Sequence, residues 1–216
     1  MTTILNIEKH DIQLPNSKDN GKLAFFLLNV FTPEECKQWI NMTEERGYSP
    51  ALINLGVQQV LMSNIRNNDR CMIDDVAMAQ TIFERIKTYL PNVFKNHQLV
   101  GLNERLRFLR YDLGQKFEKH LDGTYYRDDG SLERSYITIQ LYLNEGFQGG
   151  ETTFVHVLDA TKNVSCIPRT GMVLVFQHDL LHEGSPLMKG RKYTVRTDVM
   201  YKPLMSETYC NSNSST

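Results

Sequence analysis

Cysteine is sparse in this chain: four residues in 216, at positions 36, 71, 166 and 210, with no CxxC pair. That spacing excludes a disulfide framework and a cysteine zinc site, and points to free thiols in a reducing compartment. Long apolar runs are missing too. The longest, Leu23 to Phe31, is about half the ~20 residues of a spanning helix and contains Asn29. Neither sign of charge dominates, with 24 Lys+Arg against 25 Asp+Glu and a net charge of −1. Such a balance supplies no overall attraction to nucleic acid or an anionic membrane, so neither is expected as a partner. The opening MTTILNIEKHDI has no basic start followed by an apolar stretch. It does not read as a secretory leader, and a cytoplasmic location is the expectation. The sequons at Asn41, Asn163 and Asn213 mean little without a secretory route.

What is present suits one globular domain, 41% hydrophobic and 23% charged. The first ~20 residues hold Pro15, Asn16 and Asn20 and read as a loose lead-in. Leu23 to Phe31 reads as a buried strand. Thr32, Pro33 and Glu35 spell a capping box with proline at the first helical position, and Gly47 ends that helix. Phe31 and Cys36 are placed as its hydrophobic staple. A second helix is predicted from about Asp74 to Leu90, with Val76, Ala79, Ile82, Phe83, Ile86 and Leu90 at helical spacing, and Asp69 or Asp74 as its cap. After residue 100 the texture changes to short runs such as SYITIQLYLNEG, GMVLVFQH and RKYTVRTDVMY, broken by glycine. These predict an all-β barrel or sandwich. Residues 1–99 then form a supporting region of the same domain, 100–203 the β core, and 204–216 a polar tail.

Chemistry must come from the six histidines and their neighbours. His120 and Asp122 flank Leu121, so on a strand both point to one face. His182, entering a turn after an apolar strand, is the candidate third ligand. Two histidines and one carboxylate make the facial triad of non-heme iron oxygenases. His178 forms an HxxxH pair with His182, but that spacing aligns ligands on a helix and MVLVF reads as a strand. His156 reads as a supporting or surface residue, and His10 and His97 as structural or solvated. Lys192, ten positions beyond His182, opens a strand and can clamp a carboxylate. Tyr111, nine positions before His120, can donate to the same group.

With RYDLGQKFEKHLDG, YLNEGFQGGETTF, IPRTGMVLVFQHDLLHEGSP and GRKYTVRTDVMY in this order, the sequence resembles the prolyl 4-hydroxylase-like branch of the Fe(II)/2-oxoglutarate dioxygenases. The resemblance spans roughly residues 100 to 203. It implies a mainly β, α+β fold: a double-stranded β-helix of the jelly-roll or cupin kind, supported by N-terminal helices. It maps iron onto His120, Asp122 and His182, and the distal carboxylate of 2-oxoglutarate onto Lys192. Arg191 is the second choice, on the opposite face, and Arg196 shares the face of Lys192. Tyr111 and Tyr142 match hydroxyls of the cosubstrate pocket, with Thr138 and Gln140 on the face of Tyr142. The implied reaction consumes O2 and 2-oxoglutarate, hydroxylates an unactivated C–H bond and releases succinate and CO2, with ascorbate as the reductant that maintains the iron.

The segment IRNNDR departs from the collagen-type prolyl hydroxylases and leaves the substrate open. Arg66, Asn67, Asn68 and Arg70 are expected either to reach over the mouth of the site or to lie in a solvated loop. Tyr125, Tyr126 and Arg127 are candidate rim residues, Gln140 a candidate substrate contact, and Glu151 a structural turn residue. A prolyl or other residue in a peptide or protein is the first expectation for the substrate. A free amino acid or small metabolite is the alternative, and a catalytically silent ligand-sensing β-helix is the reading from another class.

Overall fold

The computed structural model describes residues 6–54 and 59–204. The polar tail, with Cys210 and Asn213, lies outside them. In chain order the elements are β1 (Glu8–Asp11), β2 (Ala24–Leu28), α1 (Pro33–Arg46), β3 (Ser49–Pro50), β4 (Ile53–Asn54), β5 (Gln59–Val60), β6 (Asp69–Asp74) and α2 (Val76–Ile86). There follow β7 (Val93–Phe94), β8 (His97–Leu102), β9 (Arg105–Tyr111), β10 (Phe117–His120), β11 (Arg134–Tyr142), β12 (Gln148–Gly149) and β13 (Thr152–Phe154). The last are β14 (Val164–Cys166), β15 (Val173–Gln177), β16 (His182–Gly184), β17 (Leu187–Lys189) and β18 (Lys192–Pro203).

A ten-stranded antiparallel sheet runs β1-β2-β15-β11-β18-β9-β6-β3, with β8 pairing the far half of β18 and β7 pairing β8. Facing it is a four-stranded sheet, β10-β16-β13-β14. Together they are the double-stranded β-helix. Strand alternation divides the large sheet into two faces. On β11, Ile137, Ile139 and Leu141 join the core under the helices, while Tyr142 turns inward. On β15, Val173 and Val175 face the helices and Leu174 and Phe176 face the small sheet. A strand buried on both faces is apolar throughout, which is why VLVFQ shows no alternation.

Both helices cover the outer face. Thr32 accepts from the Glu35 amide and donates its own amide to the Glu35 carboxylate, so the capping box is complete. Gly47 closes α1 at φ 84°. Trp39 packs between Phe31 and Phe108, and Arg85 of α2 bridges Glu35 and the Val30 carbonyl. Ala79, Ile82 and Ile86 bury the α2 stripe. Truncating one such isoleucine to alanine costs about 2–5 kcal/mol.

Three expectations are corrected. The lead-in is ordered from Asn6 onward: β1 pairs β2 along its whole length, and buried Asn16 bridges the Val155 carbonyl and the Val157 amide. Strand EKHD is exposed on both faces, so its sequence carries no periodic signal; the pairing holds it. The cap of α2 is Asp75, which accepts from the Met78 amide, whereas Asp69 and Asp74 lie on β6 and pair with Arg110 and Arg105. IRNNDR is not a plain loop either: Arg66 bridges Phe117, and Asp69 opens β6.

Candidate active site

Strand pairing builds the centre of the site. β10 and β16 are antiparallel with His120 directly opposite His182, which sets the two imidazoles side by side at 4.3 Å between centroids. Asp122 lies just past the end of β10, where its amide donates to the His178 carbonyl. His120 Nε2 stands 3.8 Å from one Asp122 oxygen and His182 Nε2 3.8 Å from the other. Ligand atoms of all three residues lie within 4.8 Å of one another. Among the described residues, no other group of three His, Cys, Asp or Glu side chains converges this way.

The donor set fits a divalent first-row cation. His120 Nδ1 faces the Glu118 carbonyl at 2.7 Å and His182 Nδ1 the Leu180 carbonyl at 2.9 Å. A carbonyl only accepts, so each Nδ1 carries the proton and each Nε2 presents a lone pair toward Asp122. Burial keeps both rings neutral, pushing His120 down to about 3, with the neighbouring His182 adding to the effect. Burial opposes the charge on Asp122, yet the Arg196 guanidinium holds it well below the usual carboxylate range. Two neutral imidazoles and one carboxylate suit iron better than a thiolate-seeking metal.

Asp122 is gripped at both oxygens. Thr138 Oγ1 donates to Oδ2 at 2.5 Å, and Arg196 Nη2 reaches Oδ1 at 2.9 Å. Arg196 also meets Asp198 at 3.2 Å, and Asp198 in turn takes Arg107 at 3.0 Å. Arg196, expected on the face of Lys192, thus lies against Asp122 and Asp198, four residues or about 13 Å along the strand from Lys192. His178 stands outside the triad with Nε2 3.4 Å from Asp198.

The lysine expected to clamp the cosubstrate lies at the other end of the inner face. Lys192 is 1% exposed and opposite Tyr111 in the β9/β18 register. Its ammonium sits 4.8 Å from the Tyr111 ring and 5.5 Å from the Tyr142 ring, and donates to the Gly150 carbonyl at 2.6 Å. Burial lowers its pKa to about 8, against smaller opposing effects of Glu151 and Cys166. Arg191 points the other way and pairs with Asp112 at 2.5 Å. Tyr142 and Gln140 both donate to Thr152 Oγ1, at 2.7 and 2.9 Å. Thr152 was missed by sequence reading; the only signal was its place in GGETTF, directly after the glycine corner.

The family model of the 2OG-Fe(II) oxygenase superfamily matches residues 106–197. The chain belongs to the 2OG-Fe(II) oxygenase superfamily. Its relatives lie in the prolyl 4-hydroxylase-like branch. It is 25% identical over 201 residues to prolyl 4-hydroxylase 2 of Arabidopsis thaliana, covering 79% of this chain and 64% of that protein. It is 35% identical over 162 residues to probable prolyl 4-hydroxylase 11 of the same plant, covering 71% and 53%. The chain thus spans somewhat under two thirds of the first relative's length. Among solved structures, a viral collagen prolyl hydroxylase from Paramecium Bursaria Chlorella virus-1, a 2OG complex, aligns with TM-score 0.58, 21% identity and coverage of 84% and 97%. A Trichoplax adhaerens prolyl hydroxylase in complex with a hypoxia inducible factor oxygen degradation domain peptide fragment aligns with TM-score 0.65, 16% identity and coverage of 84% and 85%. These likenesses establish the fold.

Against this superfamily's fold, the candidate substrate residues separate. Arg66 approaches the triad, with its guanidinium 4.4 Å from the Phe117 ring, which itself stacks on His120 at 3.6 Å. Asn68 is 0% exposed and spends its side chain on Arg66 and the Asp69 carbonyl, so it supports rather than contacts. Arg70 lies on β6 opposite Leu109, within the field of Arg107. Arg127 is engaged by Glu104 and Glu133, at 2.8 and 2.9 Å, which makes it a structural ion-pair centre instead of a rim donor. Tyr125 is pinned to β11 through Ser135, and Tyr126 is 63% exposed beside Arg134. Gln140 is committed to Thr152. His156 caps its own turn, accepting from the Asp159 amide at 2.9 Å. No helix among the described residues is long and apolar enough to cross a membrane.

Proposed function

We propose that this chain is an Fe(II)- and 2-oxoglutarate-dependent hydroxylase of residues in peptides or proteins, prolyl residues first. One observation carries the reading: a neutral-histidine, carboxylate triad and a buried, carboxylate-free lysine lie on the inner faces of one β-helix. In the overall reaction, substrate C–H, 2-oxoglutarate and O2 become C–OH, succinate and CO2. Iron, when bound, supplies the oxygen chemistry that no side chain here provides.

The chain's own residues hold and orient. His120 and His182 offer Nε2, and Thr138 and Arg196 keep the Asp122 carboxylate turned toward them. Lys192 has three donors, of which Gly150 takes one, so the others are available to the distal carboxylate of 2-oxoglutarate. Tyr111 flanks that position with a hydroxyl that bonds to no described residue, and the Tyr142 ring closes the opposite side. Positioning the cosubstrate before oxygen arrives is where such a scaffold gains rate. The prolyl 4-hydroxylases among the relatives and the peptide-bound structural neighbour support a peptide as substrate. Ascorbate fits as the reductant of this branch.

The test is succinate release coupled to one-oxygen mass gain in proline-containing peptides, with Fe(II), 2-oxoglutarate and ascorbate supplied. His182→Ala is expected to abolish both signals and to lose Fe(II) binding. Wild-type turnover without added Fe(II) and in excess chelator would overturn the reading.

A further inference from the structure

Three arginines, Arg66, Arg107 and Arg196, lie within the field of Asp122, and Arg70 lies beyond them within the field of Arg107. Their charges act on one another, with Arg66 feeling Arg196 and Arg70, and Arg107 feeling Arg196. Two carboxylates, Asp122 and Asp198, pair with Arg196, and Asp198 also pairs with Arg107. Arg66 differs from these. No carboxylate lies within ion-pair distance of it among the described residues. Its Nε donates to Asn68 Oδ1 at 2.8 Å, its guanidinium carbon stands 4.4 Å from the centre of the Phe117 ring, and its backbone bridges the same residue. Asn68 is itself fully buried and fixed by the Asp69 carbonyl. The guanidinium is thus held in place through one nitrogen and one face. Arg66 is partly buried, burial lowers its pKa, and its two terminal nitrogens have no acceptor among the described residues. A guanidinium fixed this way presents the bidentate fork that matches a carboxylate. Phe117 links it directly to the His120 ring, which places the fork at the edge of the metal site.

We infer that Arg66 is the specificity residue of the site and receives a carboxylate carried by the substrate. This rests on the hydroxylase reading above and names its substrate class: a peptide with an acidic residue near the target, or a free amino acid presenting its α-carboxylate. Clamping that group at a fixed distance from the triad would select which C–H bond is presented to it.

The test is direct binding to the anaerobic Fe(II)–2-oxoglutarate holoenzyme. The probes are a proline peptide with a neighbouring Asp, its Asn counterpart, its Lys counterpart, and free L-proline. The Asp peptide is expected to bind about tenfold more tightly than the Asn peptide. The Lys peptide is expected to be weakest. Arg66→Gln should erase the Asp advantage, and Arg66→Lys, which keeps the charge but loses the fork, should restore only part of it. Free L-proline binding as tightly as the Asp peptide, with the same loss in Arg66→Gln, would assign the fork to an α-carboxylate. Equal affinities for the Asp and Asn peptides and no Arg66-dependent binding of L-proline overturn the proposal. So does an Asp advantage that survives in Arg66→Gln, or a 2-oxoglutarate Kd that rises in that variant as much as the peptide Kd. Should Arg66→Gln not fold, the wild-type ranking and Arg66→Lys decide. An Arg66-dependent advantage without succinate release from any substrate in air would sink the hydroxylase reading and leave the subsite standing.

Discussion

Lys192 is a cation kept in an apolar, aromatic environment with only a carbonyl to bond. Its pKa falls from 10.5 to about 8 because burial penalises the charged form. The sign follows: folding favours the neutral amine, so this group's contribution to stability improves as pH rises from about 8 toward its unfolded value. The contact proposed for 2-oxoglutarate needs the opposite form. Affinity for 2-oxoglutarate is therefore expected to be full below about pH 8 and to weaken about tenfold per pH unit above it, measured as Kd by anaerobic titration. A flat profile through pH 9 would move the clamp elsewhere. Arg196 makes a second residue-scale case. It holds Asp122 at 2.9 Å, so Arg196→Gln should weaken Fe(II) binding about 10–100-fold. An equal or larger rise in 2-oxoglutarate Kd with iron affinity intact would return it to the clamp.

Among the elements, the β12–β13 corner shows how local chemistry fixes the site. Gly149 and Gly150 adopt φ of 74° and 70°. A Cβ on Gly149 would meet the Pro186 carbonyl at 2.2 Å, whereas one on Gly150 would meet the Lys192 Cδ at 3.3 Å. Gly149→Ala is thus expected to lower stability by about 1–3 kcal/mol, read from denaturant melts. An unchanged midpoint would show that the corner tolerates a side chain. Sequence reading found the elements that advertise themselves locally. The α1 capping box sits within four residues, and the α2 stripe repeats at helical spacing. It missed β1 because EKHD has no buried face, and chose the wrong aspartate for α2 because three candidates stand within seven residues. At the site, His120 and Asp122 were legible from their spacing on a strand, and His182 from its place after an apolar strand and from the family resemblance. Alternation told which face Arg196 occupies but not which carboxylate it meets, and the convergence of Gln140 and Tyr142 on Thr152 exists only once β11 and β13 face each other.

Over the whole molecule, the site joins two sheets. His120 and His182 belong to the small sheet, while Thr138, Arg196 and Lys192 belong to the large one. Any ligand held by both groups ties the sheets together and stabilises the fold by mass action. At concentrations 100-fold above Kd this amounts to about 2.7 kcal/mol, or a rise of about 5–10 °C in Tm for a chain of this size. Anaerobic Fe(II) plus 2-oxoglutarate should produce that shift in wild type and not in His182→Ala. A wild-type Tm unmoved by loading would show that the native state does not take up the two ligands.

The burial that keeps the two imidazoles neutral has a further consequence, in the proton inventory of loading. At neutral pH both imidazoles are already neutral and Asp122 is already ionised before any cation arrives. Metal uptake at most sites must expel protons, and so competes with acidity. Here there is no proton to expel: iron enters a centre whose protonation state is set by folding alone, and the heat of loading is independent of the buffer that surrounds it.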